Sequence, residues 1–410
     1  MNKQQLNKTY ATEALNLWRI AFAGDAEFET DFTMKFFLQD DLWGHSNCWL
    51  DKGKLVTTYF SLNVDLLVRG KPLTGRYIDG IATLPEYQRR GLVTKCMTDD
   101  ITSCFQKGID LMLVDPSRDS FYRQVGFEFA IDKYRASVNL DFFKTDSTKT
   151  DYHIKVDTLA SKTLQGDYKA INSWLWEHSR YNEMKWSACY EDIKFARNDI
   201  SLAIAYDKNL NPKGYMLYEP DDNIYIMSIR YTCLEALDAL RHHITKLPNL
   251  KYCNFSSLPP DFPLEFLVKE MSRPEEAIKS IRNNTRMARI INFSNLLEKL
   301  IVQPPKTPVT IQVKDELIPQ NNGFFSVSPE GQVQHKTNTE DDFITIDIRD
   351  TAPLLCGMTS AEELYYSGRI SISSSQNTTQ SRHQLPDPIK TLATMLPKTV
   401  TYNPDEYLAP

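Results

Sequence analysis

The sequence lacks the long apolar segments that membrane insertion requires. Its 410 residues contain no uninterrupted apolar run close to the roughly 18 residues that predict a membrane-spanning helix. A basic N-terminal region followed by an apolar stretch, the pattern of an export signal, is also missing. We therefore expect a cytoplasmic protein that has no membrane partner.

Metal-binding and disulfide patterns are missing as well. The seven cysteines form no C-x-x-C pair and are odd in number, which argues against a disulfide framework and against a zinc site. His242 and His243 are adjacent on a predicted helix, about 100° apart around its axis, so they do not face one ion together. We expect them to be packing or surface residues, and we predict that no metal is bound.

Composition and charge limit the kinds of partner. Hydrophobic residues make up 41% and charged residues 24% of the chain, as in ordinary globular proteins. The length predicts about two to four domains. The net charge of −6 disfavours a nucleic-acid partner and favours a cationic one, which a small amine would satisfy.

The most informative segment is E-Y-Q-R-R-G-L-V-T-K, at residues 86–95. The apolar and β-branched stretch before it, residues 77–84, predicts a strand. Apolar residues at helical spacing follow it and predict a helix over residues 92–105, ended by Gly108. The segment is therefore predicted to join a strand to a helix.

A basic turn at the start of a helix is suited to bind a phosphate group. The free N–H groups of the first helical turn and the side chains of Arg89 and Arg90 all favour an anion there. Gly91 has no Cβ, so a ligand can approach the backbone closely. The segment matches neither the dinucleotide-binding fingerprint nor the P-loop. An ordinary solvated helix start is the alternative interpretation.

Two motifs resemble known acetyltransferases. Residues 88–93, Q-R-R-G-L-V, resemble the R/Q-x-x-G-x-G/A acetyl-CoA motif of the GNAT acyltransferases, although Val93 replaces the small last residue. A buried strand predicted at residues 109–114 is followed by D-P-S-R-D-S-F-Y-R-Q-V-G-F. That segment resembles S-E-x-x-I-Y-G-R-F-G-Y of the Eis-like (enhanced intracellular survival) N-acetyltransferases, with Ser117 at the serine and Tyr122 at the first tyrosine.

The resemblance implies acetyl-CoA as the co-substrate and Tyr122 as the general acid for the departing thiolate. A ring that only packs in the core is the alternative for Tyr122. Arg118 replaces the acidic residue of the motif and Gln124 its second basic residue, and neither change removes the tyrosine. The residues predicted to bind acetyl-CoA are Ile81, Ala82, Thr83, Arg89, Arg90, Gly91, Leu92, Val93, Thr94, Ser117 and Arg118.

The catalytic base is implied by the resemblance to be the C-terminal carboxylate of the chain. An alkylamine with a pKa of about 10.4 is mostly charged at neutral pH, so the reaction needs a base or a proton-relay water. The family-like E-Y-F ending is replaced here by E-Y-L-A-P, residues 406–410. If the tail enters the site, Pro410 carries the base. The resemblance also implies a homo-oligomer, a hexamer.

We predict an α+β fold with two tandem GNAT-like domains, the second degenerate, followed by a sterol-carrier-protein-like domain. The predicted boundaries are 1–147, 148–288 and 289–410, with a polar linker at residues 144–151. At the strand–helix junction of the second domain, R-Y-T-C-L-E-A (residues 230–236) has neither a basic pair nor a glycine. The second copy is therefore predicted to lack a cofactor site.

The third domain is predicted from fragments. Helical apolar spacing starts near Arg289, and T-S-A-E at residues 359–362 predicts a capping box. Three fragments resemble the sterol-carrier-protein-like domain that ends Eis-family chains: P-Q-N-N-G-F-F (319–325), T-S-A-E-E-L-Y-Y-S-G-R-I (359–370) and D-E-Y-L-A-P (405–410).

The predicted function is an N-acetyltransferase that modifies a polyamine, an aminoglycoside or a lysine side chain. Two other hypotheses stay open. One is a non-catalytic acetyl-CoA-binding or scaffold protein, which would keep cofactor affinity without turnover. The other assigns the function to the C-terminal domain as a lipid carrier, and family resemblance alone supports it.

Overall fold

The structure is a computed structural model of the chain. The residues that it describes are 1–22, 44–142, 151–185, 191, 194–219, 224–247, 250–262, 264, 268, 277–373 and 384–402. Most of the linker predicted at residues 144–151, and the chain end with Pro410, lie outside the described residues.

The chain divides into two compact units. Unit 1 comprises Met1–Ile131, Met184–Ser187 and Asn284–Thr401. Unit 2 comprises Asp132–Glu183, Ala188–Asn283 and Tyr402–Pro410. The three domain ranges proposed from the sequence stay predictions.

Strands and helices alternate along the chain in an α+β arrangement. The strands are β1 (Asn2–Gln5), β2 (Asn47–Asp51), β3 (Lys54–Val68), β4 (Lys71–Thr83), β5 (Leu111–Val114), β6 (Glu128–Asn139), β7 (His153–Thr158), β8 (Glu183–Lys185), β9 (Ser201–Tyr206), β10 (Pro212–Glu219), β11 (Ile224–Tyr231), β12 (Tyr252–Leu258), β13 (Ile278–Ile290), β14 (Val309–Lys314), β15 (Gly323–Val327), β16 (Val333–Lys336), β17 (Phe343–Asp347) and β18 (Ile370–Ser373). The helices are α1 (Ala11–Phe22), α2 (Leu92–Gln106), α3 (Asp119–Arg123), α4 (Lys162–His178), α5 (Leu234–Lys246), α6 (Phe293–Leu300), α7 (Ile348–Cys356), α8 (Ala361–Tyr366) and α9 (Asp387–Met395).

Two sheets form unit 1. In the first, β1 to β4 pair antiparallel in chain order, β5 runs parallel to β4, and β13 pairs antiparallel with β5. The apolar stripe of α2 packs on this sheet, and Cys96 and Cys104 of this stripe are fully buried. The second sheet has the order β16-β15-β14-β17-β18, and α9 contacts two of its strands.

Unit 2 contains a sheet with the same pairing pattern. Strands β7, β9, β10 and β11 pair antiparallel in that order, β12 runs parallel to β11, and β6 pairs antiparallel with β12. Helix α5 follows β11 as α2 follows β4, and the side chain of His243 on α5 packs against Tyr218. This repeat agrees with the predicted tandem arrangement.

Two local predictions were wrong. Arg289 does not begin a helix, because it pairs with Met112 as part of β13, and α6 starts only at Phe293 after the cap of Asn292. The capping box is shifted by one residue from its predicted position at 359–362. Ser360 is the N-cap and Glu363 completes the box. Glu363 rather than Glu362 lies three residues after this cap, where its carboxylate reaches back to the Ser360 N–H.

Candidate active site

The basic turn between β4 and α2 has the geometry of a phosphate cradle. Gly91 is the N-cap of α2, with φ +72° and ψ +11°, and no side-chain hydrogen bond caps the helix there. The first backbone N–H groups of the helix are therefore left without a side-chain acceptor. A Cβ on Gly91 would meet no atom within 4 Å, so the space in front of the cap is open.

The two arginines of the turn are exposed. Arg89 has a φ of +59°, a conformation that residues other than glycine adopt rarely. Arg90 donates from Nη2 to the Glu86 carbonyl at 2.6 Å, and its guanidinium lies 4.9 Å from the centre of the Tyr87 ring. The Tyr87 hydroxyl in turn donates to Asp51 at 2.8 Å. These contacts hold the turn and leave positive charge at the open cap of α2.

The end of β4 separates from its parallel neighbour. The pairing of β4 with β5 stops at Ile78 opposite Val114, whereas β4 continues to Thr83. On its other edge, Ala82 and Thr83 still pair with β3. The backbone of residues 79–83 therefore runs beyond the end of β5, and a wedge opens between the two strands.

A bulge occurs where the strands separate, and the sequence analysis missed it. The register of β3 and β4 shifts between Thr58 opposite Ala82 and Phe60 opposite Asp79, so two residues of β4 face one of β3. Gly80 takes a φ of +51° there, and a Cβ on it would lie 1.8 Å from the Trp18 ring. Both Trp18 and Thr58 donate to the Gly80 carbonyl, at 3.1 and 2.8 Å. An isolated glycine inside a strand pattern is the signal that could have predicted it.

Tyr122 lies at the inner end of this wedge. Its ring packs in one core cluster with Ile78 and Val114, the last paired residues of β4 and β5, and it is 5% exposed. Burial raises the pKa of Tyr122 to about 12, and the charge of Asp79 adds to this effect. A hydrogen bond from Ser117 lowers the pKa and partly opposes the shift. Tyr122 therefore stays protonated at neutral pH and can donate a hydrogen bond.

A half-buried ion pair stands beside Tyr122 and was not predicted. Arg286 of β13 donates from Nε and Nη2 to the two oxygens of Asp115, at 2.7 and 2.9 Å. Asp115 follows directly after β5, and its charge also raises the pKa of Tyr122. The Arg286 guanidinium lies 5.4 Å from the centre of the Tyr77 ring. Nothing in local sequence spacing indicates a partner on β13.

The structure gives every predicted site residue except Pro410 a place. Ile81, Ala82 and Thr83 end β4, and Leu92, Val93 and Thr94 form the first turn of α2, in which Leu92 is buried. The Leu92 carbonyl accepts from the Trp49 indole at 3.0 Å. Ser117 and Arg118 are exposed between β5 and α3, where Ser117 contacts Tyr122. Pro410 lies outside the described residues.

Comparison of the sequence with protein families identifies its two ends. Residues 3–130 match the acetyltransferase (GNAT) domain. Residues 294–396 match the sterol carrier protein domain. The chain thus carries an acetyltransferase domain. The predicted fold class and the prediction of an N-acetyltransferase are confirmed by these matches. No curated protein matches the chain.

Solved structures share the fold over nearly the full length. A conserved protein of unknown function from Enterococcus faecalis, described as a probable N-acyltransferase, is 18% identical with a TM-score of 0.80, over 98% of this chain and 99% of that one. Eis1 from Mycobacterium abscessus is 18% identical with a TM-score of 0.77, over the same shares. A GCN5-related N-acetyltransferase from Anabaena variabilis is 14% identical with a TM-score of 0.80, also over 98% and 99%. At these identities the likeness concerns the fold.

The described part of the chain contains neither a metal-ligating cluster nor a membrane-spanning helix. In the part of the chain that the structure describes, no group of three or more His, Cys, Asp or Glu side chains could hold a metal ion. None of the described helices is long and apolar enough to cross a membrane.

Proposed function

We propose that the chain transfers an acetyl group from acetyl-CoA to a primary amine at the wedge between β4 and β5. The observation that carries the proposal is the convergence of three features at the end of β4. They are the open cap of α2, the bulge at Gly80 and the protonated hydroxyl of Tyr122. Each feature matches one requirement of acyl transfer from a thioester.

The open cap would hold the pyrophosphate of acetyl-CoA. The N–H groups at the start of α2 and the guanidinium groups of Arg89 and Arg90 would bind it, and Gly91 leaves room for it. The backbone of Ile81, Ala82 and Thr83 would hold the pantetheine arm and the thioester carbonyl. Bound acetyl-CoA supplies an activated acyl group.

Tyr122 would stabilise the sulfur as the thioester bond breaks. The leaving thiol has a pKa near 8.5, whereas the Tyr122 hydroxyl has a pKa of about 12. The thiolate is therefore a weaker base than the Tyr122 phenolate, and complete proton transfer from Tyr122 to the sulfur is unfavourable. The main role of Tyr122 is therefore a hydrogen bond to the developing charge, with the final proton supplied by water. We expect a contribution near the lower end of the range of about 10²–10⁴ for general acids.

The acceptor is a neutral amine in the reacting state, and its proton has to leave. The C-terminal carboxylate on Pro410 is our proposed base, with a water relay as the alternative. The acceptor class is a polyamine, an aminoglycoside or a lysine side chain, because the chain is acidic and the chemistry needs only an unhindered amine.

The lipid-carrier hypothesis has less support. One cavity of about 600 Å³ in the sterol-carrier-type domain has more residues with hydroxyl or charged side chains in its lining than residues with apolar ones. Its lining residues are Thr307, Pro308, Val309, Thr310, Ser326, Ser328, Gln334, Lys336, Asp341, Asp342, Asp387, Pro388 and Thr391. An apolar lining would favour the binding of a sterol or an acyl chain.

Thiol release from acetyl-CoA across a panel of amines tests the proposal. We expect turnover with at least one amine, a lower kcat with an unchanged acetyl-CoA Kd for Tyr122→Phe, and a raised acetyl-CoA KM for Arg89→Ala combined with Arg90→Ala. Leu234→Ala, at the equivalent first position of α5, is the matched control and should change neither constant. Acetyl-CoA binding without turnover on any amine would favour the non-catalytic alternative.

A further inference from the structure

The sheet of unit 2 separates at the position that corresponds to the wedge of unit 1. β11 and β12 pair in parallel from Ile224 opposite Cys253 to Ile226 opposite Phe255, and β11 then continues alone along this edge to Tyr231. In unit 1 the same separation, after Ile78 of β4, holds the proposed thioester site. Unit 2 thus has an opening at the same point of its topology.

Among the described residues of unit 2, the start of α5 carries no counterpart of the phosphate cradle. The N-cap of α5 is Cys233, an extended residue with φ −155°, and the residues before it are Tyr231 and Thr232. Neither an arginine pair nor a left-handed glycine stands at this junction. A pyrophosphate therefore has no binding site there, and a ligand of the unit 2 opening must be recognised in another way.

The opening is a cavity of about 230 Å³ with aromatic walls. Its described lining comes from the end of α4, the end of β11, the loop after β12 and the segment after α9: Trp174, Leu175, His178, Ser179, Arg180, Tyr181, Ile229, Arg230, Tyr231, Pro259, Phe262 and Tyr402. This volume is slightly below the roughly 300–1,000 Å³ of common drug-sized sites, so it suits a small molecule.

The walls are held in place by contacts among themselves. The Trp174 ring stacks on the His178 ring, with centroids 4.3 Å apart and planes 7° apart. Tyr402 meets Tyr181 edge to face at 5.4 Å, and its hydroxyl donates to the Ser257 carbonyl at 3.3 Å. Trp174 is nevertheless 42% exposed, so its ring is open to the cavity side. Rigid rings around a narrow space favour a planar guest.

The charged groups of the described lining are both arginines. Arg230 is buried and pairs with Glu183 at 2.8 Å. Arg180 stands at the rim with its side chain 67% exposed, and it uses Nη2 to bind both Asp261 and the Tyr181 hydroxyl. A guanidinium carries five N–H donors on three nitrogens, so Arg180 has donors for a further acceptor. The carboxylates of Glu183 and Asp261 pair with these arginines and are not among the described lining residues. The preference for an anionic acceptor group on the guest therefore rests on the remaining donors of Arg180.

We propose that this cavity of unit 2 binds a small planar aromatic carboxylate. The ring would lie among Trp174, Tyr231 and Phe262, and the carboxylate would bind Arg180. This site is separate from the acetyl-transfer site, and its test needs neither acetyl-CoA nor an amine. Failure of one proposal therefore leaves the other untouched.

Calorimetric titration of the full chain with benzoate tests the site. We expect saturable binding of benzoate, and binding at least about tenfold weaker for benzylamine, which has the same ring and the opposite charge. Cyclohexanecarboxylate, with the same charge and no planar ring, should also bind more weakly. Absence of saturable benzoate binding, or equal affinity for benzoate and benzylamine, would overturn the proposal.

Variants locate the binding. Arg180→Gln should weaken benzoate binding about tenfold, since it removes the charge-assisted hydrogen bonds, whereas Arg135→Gln, at an exposed arginine of β6, should not. Benzoate should change the tryptophan fluorescence of Trp176→Phe but not that of Trp174→Phe. Arg180 is exposed, so its replacement is expected to leave the fold intact. Unchanged benzoate affinity in Arg180→Gln would show that the site lies elsewhere.

Discussion

At the scale of single residues, the burial of Tyr122 connects the proposed chemistry to stability. The pKa of Tyr122 is raised to about 12, above the value near 10 of an unfolded tyrosine. A group whose pKa is raised on folding contributes in full to the free energy of unfolding below its unfolded pKa, here pH 10. As the pH rises from 10 to 12, the unfolded chain loses the proton first, and the contribution is lost.

We predict that wild type loses about 1 kcal/mol of unfolding free energy relative to Tyr122→Phe between pH 9 and pH 11. Urea unfolding at the two pH values measures this difference. Tyr366→Phe, on a ring that is 58% exposed, is the matched control and should follow wild type. Equal pH dependence of wild type and Tyr122→Phe would contradict the raised pKa.

The ion pair of Asp115 and Arg286 gives a second prediction. Arg286 is 4% exposed, so Asp115→Asn leaves a buried cation without its carboxylate. We expect a loss of about 2–3 kcal/mol of unfolding free energy, less than for a fully buried pair because Asp115 is partly exposed. Adding Arg286→Met should recover part of the loss in urea unfolding. A single variant as stable as wild type would show that the pair contributes nothing.

Local sequence gave some of these residues and not others. Tyr122 and Gly91 could be predicted because their neighbours in the chain carry a motif. Arg286 is 171 positions from Asp115 in the sequence, and only the pairing of β13 with β5 brings them together. The bulge at Gly80 depends on the Trp18 ring packed against it, which the strand pattern does not show.

At the scale of elements, the two ends of helix α2 provide a matched pair of glycines with which the phosphate cradle can be tested. Gly91 at its start and Gly108 just after its end have φ values of +72° and +70°, and a Cβ on either would meet no atom within 4 Å. Replacing either glycine by alanine should lower the free energy of unfolding by about 1 kcal/mol, because the left-handed conformation is unfavourable for alanine. The two substitutions are therefore matched in their effect on stability.

We predict that Gly91→Ala weakens acetyl-CoA binding and that Gly108→Ala does not. The added methyl group at Gly91 lies where the phosphate would approach the backbone, whereas Gly108 is at the far end of the helix. Thermal unfolding should show similar Tm losses for both variants, and calorimetry with acetyl-CoA should separate them. Equal acetyl-CoA affinity in the two variants would show that the start of α2 does not bind the pyrophosphate.

The elements themselves were predicted well where apolar spacing was strong. Strands β4 and β5 and helix α2 lie where the sequence places them. Arg289 was misassigned because the apolar residues after it have helical spacing. Its own conformation is fixed by β5, and its guanidinium is buried against both oxygens of Asp315 at 2.8 and 2.9 Å. A buried arginine with a distant partner is not visible in a periodic pattern.

At the scale of the whole molecule, the acetyltransferase and sterol-carrier-type domains of unit 1 share half-buried polar contacts. Arg69, at the turn between β3 and β4, donates to the carbonyls of Leu354, Leu355 and Pro397 at 3.0, 2.7 and 2.7 Å. Gly126, the glycine of the V-G-F motif, lies so close to Arg289 that a Cβ would come within 2.8 Å of its Nε. A motif residue of the acetyltransferase domain thus packs against a side chain that lies more than a hundred positions later in the sequence.

We therefore predict that the two domains of unit 1 open together. Cys96 and Cys356 are both buried, one in each domain, and thiol labelling followed by peptide mass spectrometry reports the opening of each separately. Their labelling should show the same dependence on urea. Arg69→Met removes three half-buried hydrogen bonds to main-chain carbonyls, so it should lower both opening free energies equally, by about 3 kcal/mol. Arg349→Met is the control and should have a much smaller effect, because the described hydrogen bonds of Arg349 stay within the sterol-carrier-type domain. Labelling of Cys356 at lower urea than Cys96 in wild type would show instead that the sterol-carrier-type domain unfolds by itself.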